Sequence, residues 1–285
     1  MKSNQLIISI VLVFAFSACG NNENETETVE KSSITATDSK NENALQKVYS
    51  LPSTMQVSSF LKTNNAKYQE DLIKGNIKNP ESAVTTIQKA LSLGLYGVDL
   101  GYTVSYEQNQ QSINYLVKVA KISDDLKISG VFKKETIDRF KSNITKPDSL
   151  TYISLSAFND ANNYLIQNGN KDVQYLIGAG ALVEGLYLTL STQKKEAKQQ
   201  NANVIGMHKF YLNSLLELLL PYAEKQAEVK ELVAQLDRIK KAFDGVNVEI
   251  VSEGDSQTIK DVQLSDNQLE DILKEVLSVR KSIIG

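Results

Sequence analysis

The chain has 285 residues, 41% of them hydrophobic and 23% charged, with 31 Lys+Arg against 34 Asp+Glu, one His, one Cys and no Trp. A single cysteine excludes an intramolecular disulfide framework and any multi-cysteine zinc or iron–sulfur site, a single histidine excludes a His-rich metal centre, and a net charge of -3 lacks the basic face that nucleic acid requires. With only 4 prolines and 14 glycines, long regular elements around a sizeable core are favoured over a loop-rich β protein.

In chain order the first feature is a short basic start at Lys2 followed by an apolar run, residues 6–16, interrupted only by Ser9. The run is too short to span a bilayer as a mature helix and has the form of a secretory signal. It ends in Phe16-Ser17-Ala18-Cys19, small residues directly before the chain's only cysteine. This arrangement resembles the lipobox of bacterial lipoproteins, although Phe16 stands where Leu is usual. The resemblance implies cleavage before Cys19, a diacylglyceryl thioether on its sulfur and an acylated amine. The alternative is an ordinary secretory site that leaves Cys19 as a free thiol. Each buried methylene contributes about 0.8 kcal/mol, so two or three acyl chains anchor stably where one does not.

Residues 20–47 are rich in Asn, Glu, Thr, Ser and Lys, with Glu23, Glu25, Glu27 and Glu30 preceding the first base at Lys31. Such a composition carries too little apolar surface to offset the entropy of ordering, which predicts a disordered tether over 19–47 with a reach of roughly 30 Å. The organisation expected is therefore a signal peptide over 1–18, a tether over 19–47 and one domain over 48–285. Gly20 lacks the Asp that retains lipoproteins at the inner membrane in enterobacteria, so the outer membrane is the expected location.

The domain reads as mostly α, a bundle of about seven or more helices with a small β-hairpin before the last. Ser53 suits the N-cap of a short helix carrying Met55, Val57, Phe60 and Leu61, and Asn79-Pro80-Glu81 suits a second helix start. A long apolar stretch through Tyr106 follows, then Ile113, Leu116, Val117 and Ala120 at helical spacing. Phe132, Ile137, Phe140 and Ile144 mark a shorter helix, and Pro147 opens the next, which carries Leu150, Ile153, Ala157, Phe158, Ala161, Tyr164 and Leu165. Residues 173–190 are apolar almost all round and should form the central buried helix, since Glu184 at the middle argues against a membrane span. Val204, Met207, Tyr211, Leu215, Leu218 and Leu219 form another face, ended or kinked at Pro221; Val229, Leu232, Val233, Leu236, Ile239 and Phe243 form the next. At residues 246–250 the period becomes two, and residues 258–263 can return as a second strand. Ser265 to Gln268 is a capping-box pattern for a last helix with Leu269, Ile272, Leu273, Val276, Leu277, Ile283 and Ile284 inward.

Two glycine clusters interrupt helical patterns: Gly94, Gly97 and Gly101, and Gly178, Gly180 and Gly185. Mid-helix glycine costs about 0.5 to 1 kcal/mol relative to alanine, and the compensation expected is a close crossing of these two helices. The same segments carry acids with a tyrosine three residues on, Asp99 with Tyr102 and Glu184 with Tyr187, spacing that lets a phenol donate to a carboxylate. If both pairs face inward they make a polar pocket with Tyr96, Tyr106 and Asn162. Such a pocket is a hydrogen-bond network that satisfies buried groups, a ligand site, or a carboxylate pair for acid–base work.

His208 lies in Gly206-Met207-His208-Lys209-Phe210-Tyr211, which is similar to the GxHxxE of imelysin-like periplasmic proteins, but Tyr211 takes the place of the Glu. A surface or half-buried histidine is the expectation, with no metal. No GxSxG, HExxH or CxxC is present, so neither an enzyme nor a cofactor is expected.

Taken together, the lipobox, the acidic tether, Tyr49-Ser50-Leu51-Pro52-Ser53, the segment from Ala90 to Tyr102 and the segment from Gly180 to Tyr187 resemble a family of uncharacterised, mostly helical lipoproteins of Bacteroidota. The resemblance implies an envelope location and assigns no activity. The sequence thus suggests a lipid-anchored envelope protein whose partners are the membrane, through its lipid, and another envelope protein, with a small-ligand pocket at Asp99, Tyr102, Tyr106, Glu184 and Tyr187 as the alternative.

Overall fold

The computed structural model describes residues 33–35, 61, 66–77, 83–128, 130, 132–192, 198–253 and 256–284. The signal peptide, Cys19 and the helix start expected at Ser53 lie outside the described residues, as does Asn79-Pro80-Glu81. Among the described residues eight long helices are present: α1 (Thr86–Ser105), α2 (Asn109–Asp125), α3 (Lys134–Ser142), α4 (Pro147–Gln167), α5 (Lys171–Ser191), α6 (Lys198–Ala223), α7 (Ala227–Ala242) and α8 (Asp266–Ile284). The mostly helical class and the hairpin before the last helix are as the hydrophobic periods require.

Local chemistry sets several boundaries. The helix carrying the first glycine cluster starts at Thr86 with Thr85 as its N-cap: the Thr85 hydroxyl accepts from the Gln88 N–H while the Gln88 side chain accepts from the Thr85 N–H. Pro147 opens α4 at its first position, where its missing N–H costs nothing. At α8 the expected capping box forms, Ser265 and Gln268 each satisfying the other's backbone N–H. Pro221 falls in the last turn of α6, which continues only to Ala223.

The glycine clusters do what their cost suggests. Helices α1 and α5 make the closest pairing in the bundle, and a Cβ on Gly94 would sit against the Ile177 carbonyl while one on Gly180 would sit against the Leu91 carbonyl, closer than any real Cβ approaches backbone. Helix α5 is long and apolar enough to cross a membrane by length and composition, and most of it is buried inside the domain.

Around this crossing α2 and α4 cover α1, while α6 and α8 cover α5 and α7 joins the outer sides of α6 and α8. A few apolar residues on the expected faces point outward: Val117, Tyr164, Leu218 and Leu277 are exposed. On α2 the buried stripe is Ser112, Tyr115, Leu116, Val119 and Ala120, which turns Val117 to the far side.

The hairpin consists of β2 (Asn247–Glu253) and β3 (Ser256–Gln263), antiparallel with a bulge at Glu249/Ile250. Val248, Ile250 and Val262 are buried, and Gly206 of α6 leaves the space that Val262 fills. A hairpin marginal by itself is thereby seated on α6. Within the segment expected to be a tether, β1 (Ser33–Thr35) pairs antiparallel with β2 and makes a three-stranded sheet, because the open edge of β2 offers unpaired N–H and C=O groups. The remainder of residues 19–47 lies outside the described residues.

Replacing Gly94 or Gly180 by valine should lower unfolding free energy by about 3 kcal/mol or more, read from urea denaturation. Gly130→Ala, where an added Cβ meets nothing within 4 Å, serves as the near-neutral control.

Candidate functional site

One turn beyond the glycine crossing stand the two acids, Asp99 on α1 and Glu184 on α5, both fully buried. An ionised carboxylate in such surroundings requires a compensating charge or strong hydrogen bonds. Glu184 has both. Arg280 of α8 reaches it in a two-pronged pair, Nε donating to Oε2 at 2.6 Å and Nη2 to Oε1 at 3.0 Å. The guanidinium also lies over the Tyr187 ring, 3.9 Å from its centroid. Burial pulls the Arg280 pKa down, but the charge of Glu184 and the hydrogen bonds to it more than reverse this and leave it raised. The Asp99 charge acts on the neighbouring Tyr115 phenol and on Arg280.

The tyrosines do not serve the acids that precede them. Each expected i,i+3 phenol instead reaches the backbone of residues 66–77, a strap of two short 3-10 turns, Glu70–Leu72 and Lys74–Ile77. The Tyr102 hydroxyl accepts from the Gln69 N–H at 2.9 Å, and that of Tyr187 donates to the Leu72 carbonyl at 3.4 Å. Tyr106 and Tyr115 donate to the carbonyls of Ala66 and Ile73 at 2.7 and 2.8 Å. Arg280 Nη2 adds a bond to the Leu72 carbonyl at 3.2 Å. A phenol is too long to fold back on a carboxylate one turn away on its own helix when a carbonyl lies in line with its hydroxyl.

Of the residues expected to line a pocket, Asp99, Tyr102, Tyr106, Glu184 and Tyr187 do gather in one place, with Tyr96 buried nearby. Asn162 does not join them; it is exposed on α4. The phenols pack on one another, Tyr68 of the strap lying 5.1 Å from Tyr102 and 5.7 Å from Tyr106 between ring centroids. Burial, assisted by the neighbouring carboxylates, pushes the Tyr96 pKa up to about 12, and burial with the adjacent Tyr102 does the same for Tyr106. Every phenol in the cluster is therefore a neutral hydrogen-bonding group. Lys118 sits 5.1 Å from the Tyr96 centroid; burial lowers its pKa while the Asp99 charge opposes the shift.

Residues absent from the sequence expectation are Arg280, Tyr115 and the strap. Arg280 carried a signal: it lies at i+4 from Val276 and i−3 from Ile283, a lone base on an otherwise apolar stripe. Tyr115 likewise occupies the inward stripe of α2.

His208 is not at the surface; only 1% of it is exposed. Its Nδ1 donates to the Val204 carbonyl at 2.7 Å, which fixes the proton there and leaves Nε2 a bare lone pair with no hydrogen-bond partner among the described residues. The Tyr211 ring meets the imidazole edge-on at 6.1 Å. Among the described residues no group of three or more His, Cys, Asp or Glu side chains could hold a metal.

Comparisons with protein-family models, with curated proteins and with solved structures give no match to this chain.

Two predictions follow from these buried charges. Arg280→Met alone strands the Glu184 carboxylate and should cost about 3 to 5 kcal/mol, whereas the Glu184→Leu/Arg280→Met double variant should recover most of the loss in a double-mutant cycle read by chemical denaturation. Burial lowers the His208 pKa from 6.5 to about 4, so the unfolded chain takes up a proton at a pH where the folded chain does not. Stability is then complete above pH 6.5 and falls by about 3 kcal/mol as pH drops to about 4. In His208→Leu that dependence should flatten, as measured by denaturation across this range.

Proposed function

We propose that the protein is a lipid-anchored module of the bacterial cell envelope that acts by binding another envelope protein, with no chemistry of its own. The anchor rests on the position of the only cysteine, at the end of an apolar run and directly after Ser17 and Ala18. Two or three acyl chains on Cys19 hold the chain at the outer membrane, and the polar stretch after it sets the domain's distance from the bilayer.

The choice of a binding module over a small-ligand receptor rests on one observation, the bidentate grip of Arg280 on the fully buried Glu184. The acid that would select a ligand is already neutralised from within. The phenols beside it are spent on the chain's own backbone. These features favour a stabilising network that keeps the helices in one arrangement, and they leave protein recognition as the use of the domain.

Intact mass analysis of the mature protein should find an acylated Cys19 at its N-terminus, and Cys19→Ala should move the protein from the detergent phase to the aqueous phase on phase separation. A native chain that starts elsewhere or carries no acyl group would remove the anchor. Affinity capture of the lipidated protein from envelopes should recover a protein partner that a denatured control does not retain.

A further inference from the structure

The sheet stands at one end of the bundle, and unequal helix lengths put it there. Helix α6 has 26 residues and α7, which packs along it, has 16, so α7 stops short of the start of α6. The hairpin continues from that point. Lys209 Nζ bonds the Val246 carbonyl, and nearer the start of α6 the Gly206 backbone lies against the side chains of Val248 and Val262. Strand β2 therefore runs back toward the start of α6, and the Glu253/Ser256 pair is its outermost rung. The opposite end of the bundle holds the starts of α1 and α7, joined by a 3.0 Å hydrogen bond from the Thr85 hydroxyl to Glu228. The length of α6, about 39 Å, separates the two ends.

Strand β1 enters the sheet on its outermost side. Its register sets Ser33 opposite Val251 and Thr35 opposite Glu249, so the chain arriving from Cys19 meets the tip of β2 first. We infer that β1 is a clasp on the leash, one that passes the pull of the lipid to the sheet and makes the sheet end of the domain its bilayer-facing surface. The inference deepens the reading of Cys19 as a lipid anchor and rests on it. Without the pairing, the stretch from Cys19 through residue 47 can extend about 100 Å. With it, the roughly 14 residues from Cys19 to Ser33 reach at most about 50 Å in any conformation, and a chain of that length has an r.m.s. span of about 20 Å. Turning the domain over would lift the sheet by the length of α6 and pull this leash close to its limit, which removes nearly all its conformational freedom. Pairing within one chain also escapes the translational cost that a separate strand would bear. Lys260 and Gln263 of β3 are exposed and polar, which suits contact with headgroups and not insertion among acyl chains.

The test uses the full lipidated chain in phosphatidylcholine vesicles that carry an energy-transfer acceptor on their headgroups. A donor dye is attached at Lys260→Cys on the sheet or at Val84→Cys beside the start of α1, both exposed positions. Transfer should be at least twofold more efficient from the sheet position. The Ser33→Pro/Ile34→Pro/Thr35→Pro variant removes every N–H of β1 and should bring the two positions to near equality. Equal transfer with β1 unsubstituted, or a difference that the prolines leave intact, would overturn the inference. Hydrogen exchange reads the clasp directly: at least one amide among residues 249–251 should exchange tenfold or more faster in the proline variant, and unchanged exchange at all three would also overturn it. A chain without acyl groups fails both this inference and the anchor, whereas an acylated chain with equal transfer fails this inference alone.

Discussion

The contact on which the remaining structure depends is the passage of α1 across α5 at Gly94 and Gly180, where each helix backbone rests against a carbonyl of the other. Close approach of two backbones removes the room that side chains would fill, and it draws in whatever stands a turn further along each helix. Here those residues are Asp99 and Glu184, so the tightest apolar contact in the bundle delivers two carboxylates to the core. Their burial then dictates the placement of α8, since Arg280 must reach Glu184. It dictates the strap too, because the guanidinium has a donor left after serving Glu184 and the buried phenols need partners of their own. The polar centre is thus a consequence of the apolar one.

Such a centre serves specificity more than strength. A buried ion pair seldom outweighs the cost of desolvating both charges, but any arrangement that misaligns it is far worse. Bidentate geometry between Arg280 and Glu184, stacking on Tyr187 and the shared Leu72 carbonyl allow one relative position of α5, α8 and the strap.

Much of this was legible in the sequence, and the limits are physical. The glycine clusters announced the crossing because their cost is local and demands a local reason. Pro147, the Ser265/Gln268 box and the change of period near Val246 are likewise signals carried within a few residues. The polar centre was legible only by half. Asp99 and Glu184 stand out as acids in apolar stretches, but the direction of a tyrosyl hydroxyl depends on a backbone partner 33 to 42 residues away for Tyr102, Tyr106 and Tyr115. The strap has too few apolar residues to show a period, and its importance lies in backbone atoms that every sequence possesses. His208 was misplaced for a similar reason, its burial being decided by what packs against α6 and not by its own neighbours in sequence.

The pairing of Glu184 with Arg280 spans 96 residues, and this separation bears on how the chain matures. A polypeptide that emerges from its N-terminal end presents α1 and α5, with both carboxylates, well before α8 exists to answer them. Until α8 arrives, the carboxylate of Glu184 lacks the guanidinium that pairs with it. A chain cut short of Arg280 would lack the cation that answers Glu184, so the charge carried into the core by the fifth helix is balanced only from the last one.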